Sequence, residues 1–140
     1  MWYNPIMIWL LRSPLHKMLS GSIVLLTLTG RKSGRSIEVP VNYIRDGKTL
    51  WAVSDRQRVW WRNLMGGAPL SVMLARKTKH ARGEVILHDR EVMHALVEYF
   101  KLAPHMAKYF KVKIDRQGNP DLTDLGAAAR TRVVIKITLI

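Results

Sequence analysis

The 140-residue sequence contains no cysteine, which excludes disulfides, thiolate nucleophiles and cysteine-ligated metals. Nothing therefore points to an oxidising compartment, and the cytosol or its membrane face is the expected location. Acids are scarce: 10 Asp and Glu stand against 23 Lys and Arg, a formal net charge of +13. So few carboxylates leave no candidate glycosidase pair, and the excess of cations favours anionic partners: nucleic acid, anionic lipid or a phosphorylated cofactor. The five histidines, His16, His80, His88, His94 and His105, include no pair at metal-ligand spacing on one expected face, so no metal is expected. No Ser with a nearby His and acid forms a hydrolase motif. Long apolar runs are also missing. The stretch from Trp2 to Leu11 is closed by Arg12, well short of the roughly 20 residues that span a bilayer, and it lacks the flanks of a secretory signal. With no repeat, linker or low-complexity tract, the chain reads as a single domain over 1–140, with 1–21 as an N-terminal helical segment.

In that segment Asn4 as N-cap with Pro5 at the first helical position marks a helix start, and Ser13-Pro14 repeats the signal for a second short helix ending near Gly21. Ile6, Met7, Trp9 and Leu10 leave the first helix without a polar face. Its cover is the domain itself, a second copy in a homodimer, or a lipid surface with Arg12, His16 and Lys17 near headgroups, as in a peripheral protein at the inner face of the membrane.

Ile23 to Thr29 is a compact apolar and β-branched run that predicts a buried strand, ending at the polar turn Gly30-Arg31-Lys32-Ser33-Gly34. Ile37 to Tyr43 alternates as a second strand, with Pro40 suggesting an edge or bulge, and Asp46-Gly47 signals a hairpin that returns Thr49 to Ser54 onto it. Gln57 to Met65 predicts a short helix stopped by Gly66-Gly67. Leu70 to Leu74 and Ala81 to Leu87 predict two more strands around a basic connection, Arg76 to His80. Asp89 is the expected cap of a helix with Val92, Leu96, Tyr99 and Phe100 at helical spacing. A second helical piece is expected over Pro104 to Phe110 and a loop over Asp115 to Asp121. Val133, Ile135, Ile137 and Leu139 alternate in a closing strand. Six antiparallel strands without recurring strand-helix-strand alternation argue for an α+β barrel rather than a parallel sheet.

The turn from Gly30 to Arg35 carries the chemistry. Three cations, a hydroxyl and two glycines between strands can aim N–H groups and charged heads at one anion, although a merely basic, solvated hairpin would have the same composition. It is no P-loop, since a strand follows it rather than a helix.

Leu25-Leu26-Thr27-Leu28-Thr29-Gly30-Arg31-Lys32-Ser33-Gly34, the Pro-containing strand, Ile44-Arg45-Asp46-Gly47, a strand ending at Ser54, and Trp60-Trp61-Arg62-Asn63-Leu64 follow one another in an order that resembles the deazaflavin-dependent nitroreductase family. The resemblance runs from about Ile23 to Leu74, and more loosely over Asn4 to Ser20. It implies a six-stranded antiparallel split β-barrel of the FMN-binding type, with an N-terminal helix and two or three flanking helices. It further implies coenzyme F-420, an 8-hydroxy-5-deazaflavin, as cofactor. By the same resemblance Arg31, Lys32 and Ser33 hold the phosphate and acidic tail, Arg35 assists in place of a family Arg that is Ile37 here, and Val53, Ser54, Val59 and Trp60 lie against the ring. The chain departs from the family pattern at Asn42, where a tyrosine is usual, in the loop Asp55-Arg56-Gln57-Arg58, and beyond Leu87.

Hydride transfer from a deazaflavin asks the protein for position, a dry pocket and a hydrogen-bond donor rather than an acid-base cluster. Ser54 and Tyr109 are the expected donors. The implied activity is an oxidoreductase, nitroreductase- or quinone reductase-like, acting on a flat small-molecule acceptor. The alternatives are an FMN-binding barrel and a non-catalytic lipid- or cofactor-binding member. Nucleic acid is not the expected partner, because most aromatics sit in apolar runs rather than among the cations where bases could stack.

Overall fold

The computed structural model describes residues 23–74 and 76–140, so the expectations for the N-terminal helical segment lie outside the described residues. In chain order the elements are β1 (Ile23–Thr29), β2 (Ser36–Asn42), β3 (Ile44–Asp46), β4 (Thr49–Asp55), a 3-10 helix Trp60–Leu64, β5 (Ala68–Leu74) and β6 (Lys77–Ile86). There follow α1 (Asp89–Leu102), a 3-10 helix Pro104–Phe110, α2 (Leu122–Arg130) and β7 (Arg132–Leu139).

The described sheet has seven strands, not six, in the order β2-β1-β5-β6-β7-β4-β3. The additional strand is β3, which starts just past the run expected over Ile37 to Tyr43, where the chain crosses at Tyr43 from one partner strand to another. Up to Asn42 it pairs with β1, from Thr29↔Ser36 to Ile23↔Asn42. From Ile44 onward it pairs with β4, beginning at Ile44↔Trp51. These two pieces are the opposite edges of the sheet, yet one residue joins them. Two peptide links span at most about 7 Å between Cα atoms, so the sheet must curl until its edges meet, which is the split-barrel geometry. Pro40 sits on edge strand β2 opposite Leu25, where its missing N–H is tolerated.

Two further pairings differ from expectation. Beyond its three-residue contact with β3, β4 pairs along its whole length with β7, from Thr49↔Thr138 to Asp55↔Arg132. Lys77 to His80, expected as a connection, form the first part of β6 and pair with β5, after a reversal in which Arg76 takes a φ of 67°. This cationic stretch runs past the point where β7 begins to pair, at Ala81↔Leu139, so its side chains remain in water.

Two apolar cores result. Inside the barrel Leu26, Val39, Leu50, Val72, Ile135 and Ile137 pack around the Trp60–Leu64 helix, which enters as a plug through Trp60, Trp61 and Leu64. Gly83 makes room for it: a Cβ there would come within 2.8 Å of Leu70 Cδ2 and 3.0 Å of Leu64 Cδ1. On the outer face Val92, Leu96, Tyr99 and Phe100 of α1 pack with Leu125 and Ala129 of α2 against Val134. Strand β7 is thus covered on both faces. Helix α1 begins at the expected cap itself: His88 is the N-cap and makes no side-chain cap bond, while the Asp89 carboxylate takes the Arg56 guanidinium at 3.0 Å. Helix α2 was not anticipated. Its start is fixed by Asp121, whose side chain accepts from the Asp124 N–H at 2.9 Å. No helix among the described residues is long and apolar enough to cross a membrane.

Candidate functional site

The turn between β1 and β2 is closed from within. The Gly30 N–H donates to the Arg35 carbonyl at 2.8 Å and the Gly34 N–H to the Gly30 carbonyl at 2.9 Å, with Gly34 at a φ of 70° that favours glycine. The Arg35 N–H donates to Ser33 Oγ at 3.2 Å. A Cβ at Gly30 would stand 2.8 Å from that same Oγ, so a side chain there would require Ser33 to turn away. The turn is also pinned from outside: the Arg31 N–H donates to Asn63 Oδ1 at 2.9 Å, and Asn63 Nδ2 donates to the Trp60 carbonyl at 2.9 Å. With these bonds made, the backbone N–H groups of Lys32 and Ser33 are the turn donors that find no partner among the described residues. Successive open N–H groups in a turn flanked by cationic side chains are an arrangement able to hold an anion.

Two clefts lie on either side of the Trp60–Leu64 helix. With three residues per 3-10 turn, neighbouring side chains diverge by about 120°, and Trp60 and Trp61, each 4% exposed, serve different walls. The larger cleft, about 860 Å³, has the turn residues Arg31, Lys32 and Ser33 on one side and Val59, Trp61 and Arg62 on the other, with Ile37, Met65 and Leu87 as an apolar lining. Its cations include Arg56, and no Asp or Glu is among its described lining residues. The smaller cleft, about 190 Å³, is formed by Val53 and Ser54 at the end of β4, Trp60, Phe110, Arg58 and Arg132.

The sequence-derived residues therefore fall into two groups. Arg31, Lys32, Ser33 and Val59 share the larger cleft, and Val53, Ser54 and Trp60 share the smaller. Arg35 is exposed and lines neither. Tyr109 is 65% exposed, stacks under the Lys108 ammonium at 5.2 Å, and also lines neither. Ser54 is buried, with its Oγ donating to the Asp55 carbonyl at 3.2 Å.

Several residues with no role assigned from sequence prove central. Asn63 fixes the turn. Arg56 braces the cleft: its Nη2 donates to the Leu87 carbonyl at 3.0 Å and the Ala129 carbonyl at 2.9 Å, and its Nε to the Arg132 carbonyl at 3.2 Å. Arg132 in turn lies 3.4 Å from Asp55 Oδ1 through Nε, with its guanidinium 5.2 Å from the Phe110 ring centre. Trp61 walls the larger cleft, and its Nε1 is buried without a hydrogen-bond partner among the described residues. The displaced acidities lie elsewhere: burial raises the Tyr43 hydroxyl above its usual range, against a smaller opposing effect of Arg45, and burial pushes Tyr99 up to about 12. Among the described residues no group of three or more His, Asp and Glu could hold a metal ion.

Solved structures place this architecture among known barrels. A FAD- and heme-binding protein from Mycobacterium smegmatis is 14% identical, with 92% of this chain and 67% of that one covered and a TM-score of 0.52. HutZ, a heme storage protein from Vibrio cholerae, is 11% identical over 92% of this chain and 90% of that one, with a TM-score of 0.50. A structure described as an F420 reductase is 17% identical over 94% and 91% of the two chains, with a TM-score of 0.46. Likeness at such identities is likeness of fold. No curated protein matches the sequence. The sequence profile of F420H(2)-dependent quinone reductases, whose cofactor is the reduced deazaflavin, matches residues 12–116, most of the chain, and the protein belongs to that family.

Proposed function

We propose that this protein is a deazaflavin-dependent oxidoreductase that passes a hydride from the reduced cofactor to a flat organic acceptor such as a quinone or nitroaromatic. The observation that carries the reading is the pinning of the basic turn by Asn63 to the segment bearing Val59, Trp60 and Trp61. It sets an anion-holding element and an aromatic wall around one cleft, as a ligand with a flat body and an anionic tail requires. The residues fit the group: Arg31, Lys32 and the open N–H groups of Lys32 and Ser33 suit phosphate and carboxylate oxygens, each charge-assisted bond being worth about 1.5–3 kcal/mol.

When bound, the reduced cofactor supplies the hydride, and reduction of a quinone is completed by a proton from water. The chain supplies position and field. Val53, Ser54 and Trp60 bring the end of β4 and the aromatic wall together at the smaller cleft, where Arg58 and Arg132 offer positive charge to an acceptor oxygen as it becomes negative. Ser54 would have to release the Asp55 carbonyl to donate there, whereas the Arg132 guanidinium, held by Asp55 and Thr131, carries further N–H donors. Tyr109, outside both clefts, has no part in this arrangement.

The test is oxidation of the reduced deazaflavin, followed by its absorbance, with a quinone and a nitroaromatic as acceptors. Turnover proportional to protein concentration is expected. No oxidation above the uncatalysed rate with either acceptor would overturn the assignment. Contact of residues 1–22 with a membrane or a second copy is a separate expectation, tested by vesicle sedimentation and light scattering of a chain lacking residues 1–12.

A further inference from the structure

The strongest unexplained feature of the larger cleft is the indole of Trp61. The residue is 4% exposed, its Nε1 has no hydrogen-bond partner among the described residues, and its ring walls a cleft of about 860 Å³. A buried N–H without an acceptor is unfavourable, and buried polar side chains nearly always find a partner. Phenylalanine would fill such a wall without that cost. Two surroundings bear on what the missing acceptor is. The Arg62 guanidinium lies 5.4 Å from the centre of the Trp61 ring, and Arg31, Lys32 and Ser33 line the same cleft. The donor is therefore set in a field that attracts an oxyanion and disfavours a cation.

We propose that Trp61 Nε1–H donates a hydrogen bond to a phosphate oxygen of the bound cofactor, which makes Trp61 a ligand-binding residue rather than a core residue alone. The proposal rests on the functional reading above but is separable from it, because a barrel that binds another phosphorylated flavin would use the same donor.

The experiment replaces Trp61 by β-(3-benzothienyl)alanine, which keeps the bicyclic shape and lacks the N–H, with Trp61→Phe alongside. Affinities for coenzyme F-420, for its deazaflavin chromophore without the phosphate tail, and for FMN are measured by fluorescence titration. The indole ¹⁵N–¹H signal of Trp61 is followed in the wild type. A loss of about tenfold in affinity for F-420, none for the tail-less chromophore, and a shift of the Trp61 signal on binding F-420 are expected. Unchanged F-420 affinity of the isosteric variant, with an unmoved Trp61 signal, overturns the proposal and leaves the functional reading standing. An equal loss for the tail-less chromophore also overturns it, since the acceptor then lies outside the phosphate. If the wild type binds FMN and not F-420, the functional reading fails, and a shift of the Trp61 signal with FMN still supports the proposal. Binding of neither phosphorylated ligand overturns both.

Discussion

The backbone N–H of Arg31 donates to Oδ1 of Asn63 at 2.9 Å across 32 positions of sequence, and this bond holds the basic turn against the Trp60–Leu64 helix. Asn63→Ala removes it together with the bond to the Trp60 carbonyl. The expected outcome is a loss of about 1–2 kcal/mol in stability by chemical denaturation, with a larger proportional loss in cofactor affinity because the turn is no longer preorganised. An affinity unchanged at unchanged stability would show that the turn keeps its shape unaided.

The cations of the turn have the opposite profile. Arg31 and Lys32 are exposed, so neither side chain supports the core. The double variant Arg31→Ala with Lys32→Ala should melt within about 0.5 kcal/mol of the wild type. Its affinity for the deazaflavin should fall roughly tenfold to over a hundredfold for each charge-assisted bond that the truncation removes. Titration at two salt concentrations checks the charge dependence, which should weaken in the variant.

Arg56 and Asp89 separate a structural brace from a surface ion pair. Arg56 reaches three carbonyls, those of Leu87, Ala129 and Arg132, and its side chain is 31% exposed. Arg56→Ala leaves those acceptors short of a donor and should cost roughly 2–4 kcal/mol. The Asp89 carboxylate is 56% exposed, so Asp89→Ala should cost no more than about 1 kcal/mol. Urea denaturation of the two variants distinguishes them, and similar values would contradict the assignment of the brace to the carbonyl bonds.

Tyr99 gives a pH dependence with a defined sign. Its hydroxyl is pushed by burial from the usual 10.0 up to about 12, so between these values the folded chain holds a proton that the unfolded chain has released. Its contribution to stability is full below pH 10 and is lost as the pH rises toward 12, in all about 2–3 kcal/mol. The measurement is the difference between wild type and Tyr99→Phe, whose stability should fall less steeply over that window.

How much of this was legible in the sequence depended on where the causes lie. Strands β1 and β7 could be read because Ile23–Thr29 and Val133–Leu139 carry apolar and β-branched patterns whose meaning is local. The break at Tyr43 could not be read. The alternation of Ile37, Val39, Val41 and Tyr43 carries no mark of a change of partner just beyond it, and what starts a new strand at Ile44 is the closure of the sheet, a tertiary demand. Helix α2 has little local signature, because Gly126 lies within it and its buried stripe consists of Leu125, Ala128 and Ala129, mostly small side chains. At the site, the resemblance around Gly30 to Gly34 pointed to the family that the profile match shows. Adjacent tryptophans signalled that only one could face a given wall, but not which. Asn63 and Arg56 could not be assigned from sequence, since their partners lie about 30 to 75 positions away and nothing local announces them.

The central claim, that the basic turn and the cleft beside it serve the long anionic tail of a deazaflavin, is tested most directly by competitive fluorescence titration of the purified protein with coenzyme F-420 and FMN at physiological salt. The account predicts tighter binding of F-420, with the preference abolished in the Arg31→Ala, Lys32→Ala double variant. Equal or tighter binding of FMN, or a preference for F-420 that survives loss of both cations, would contradict it.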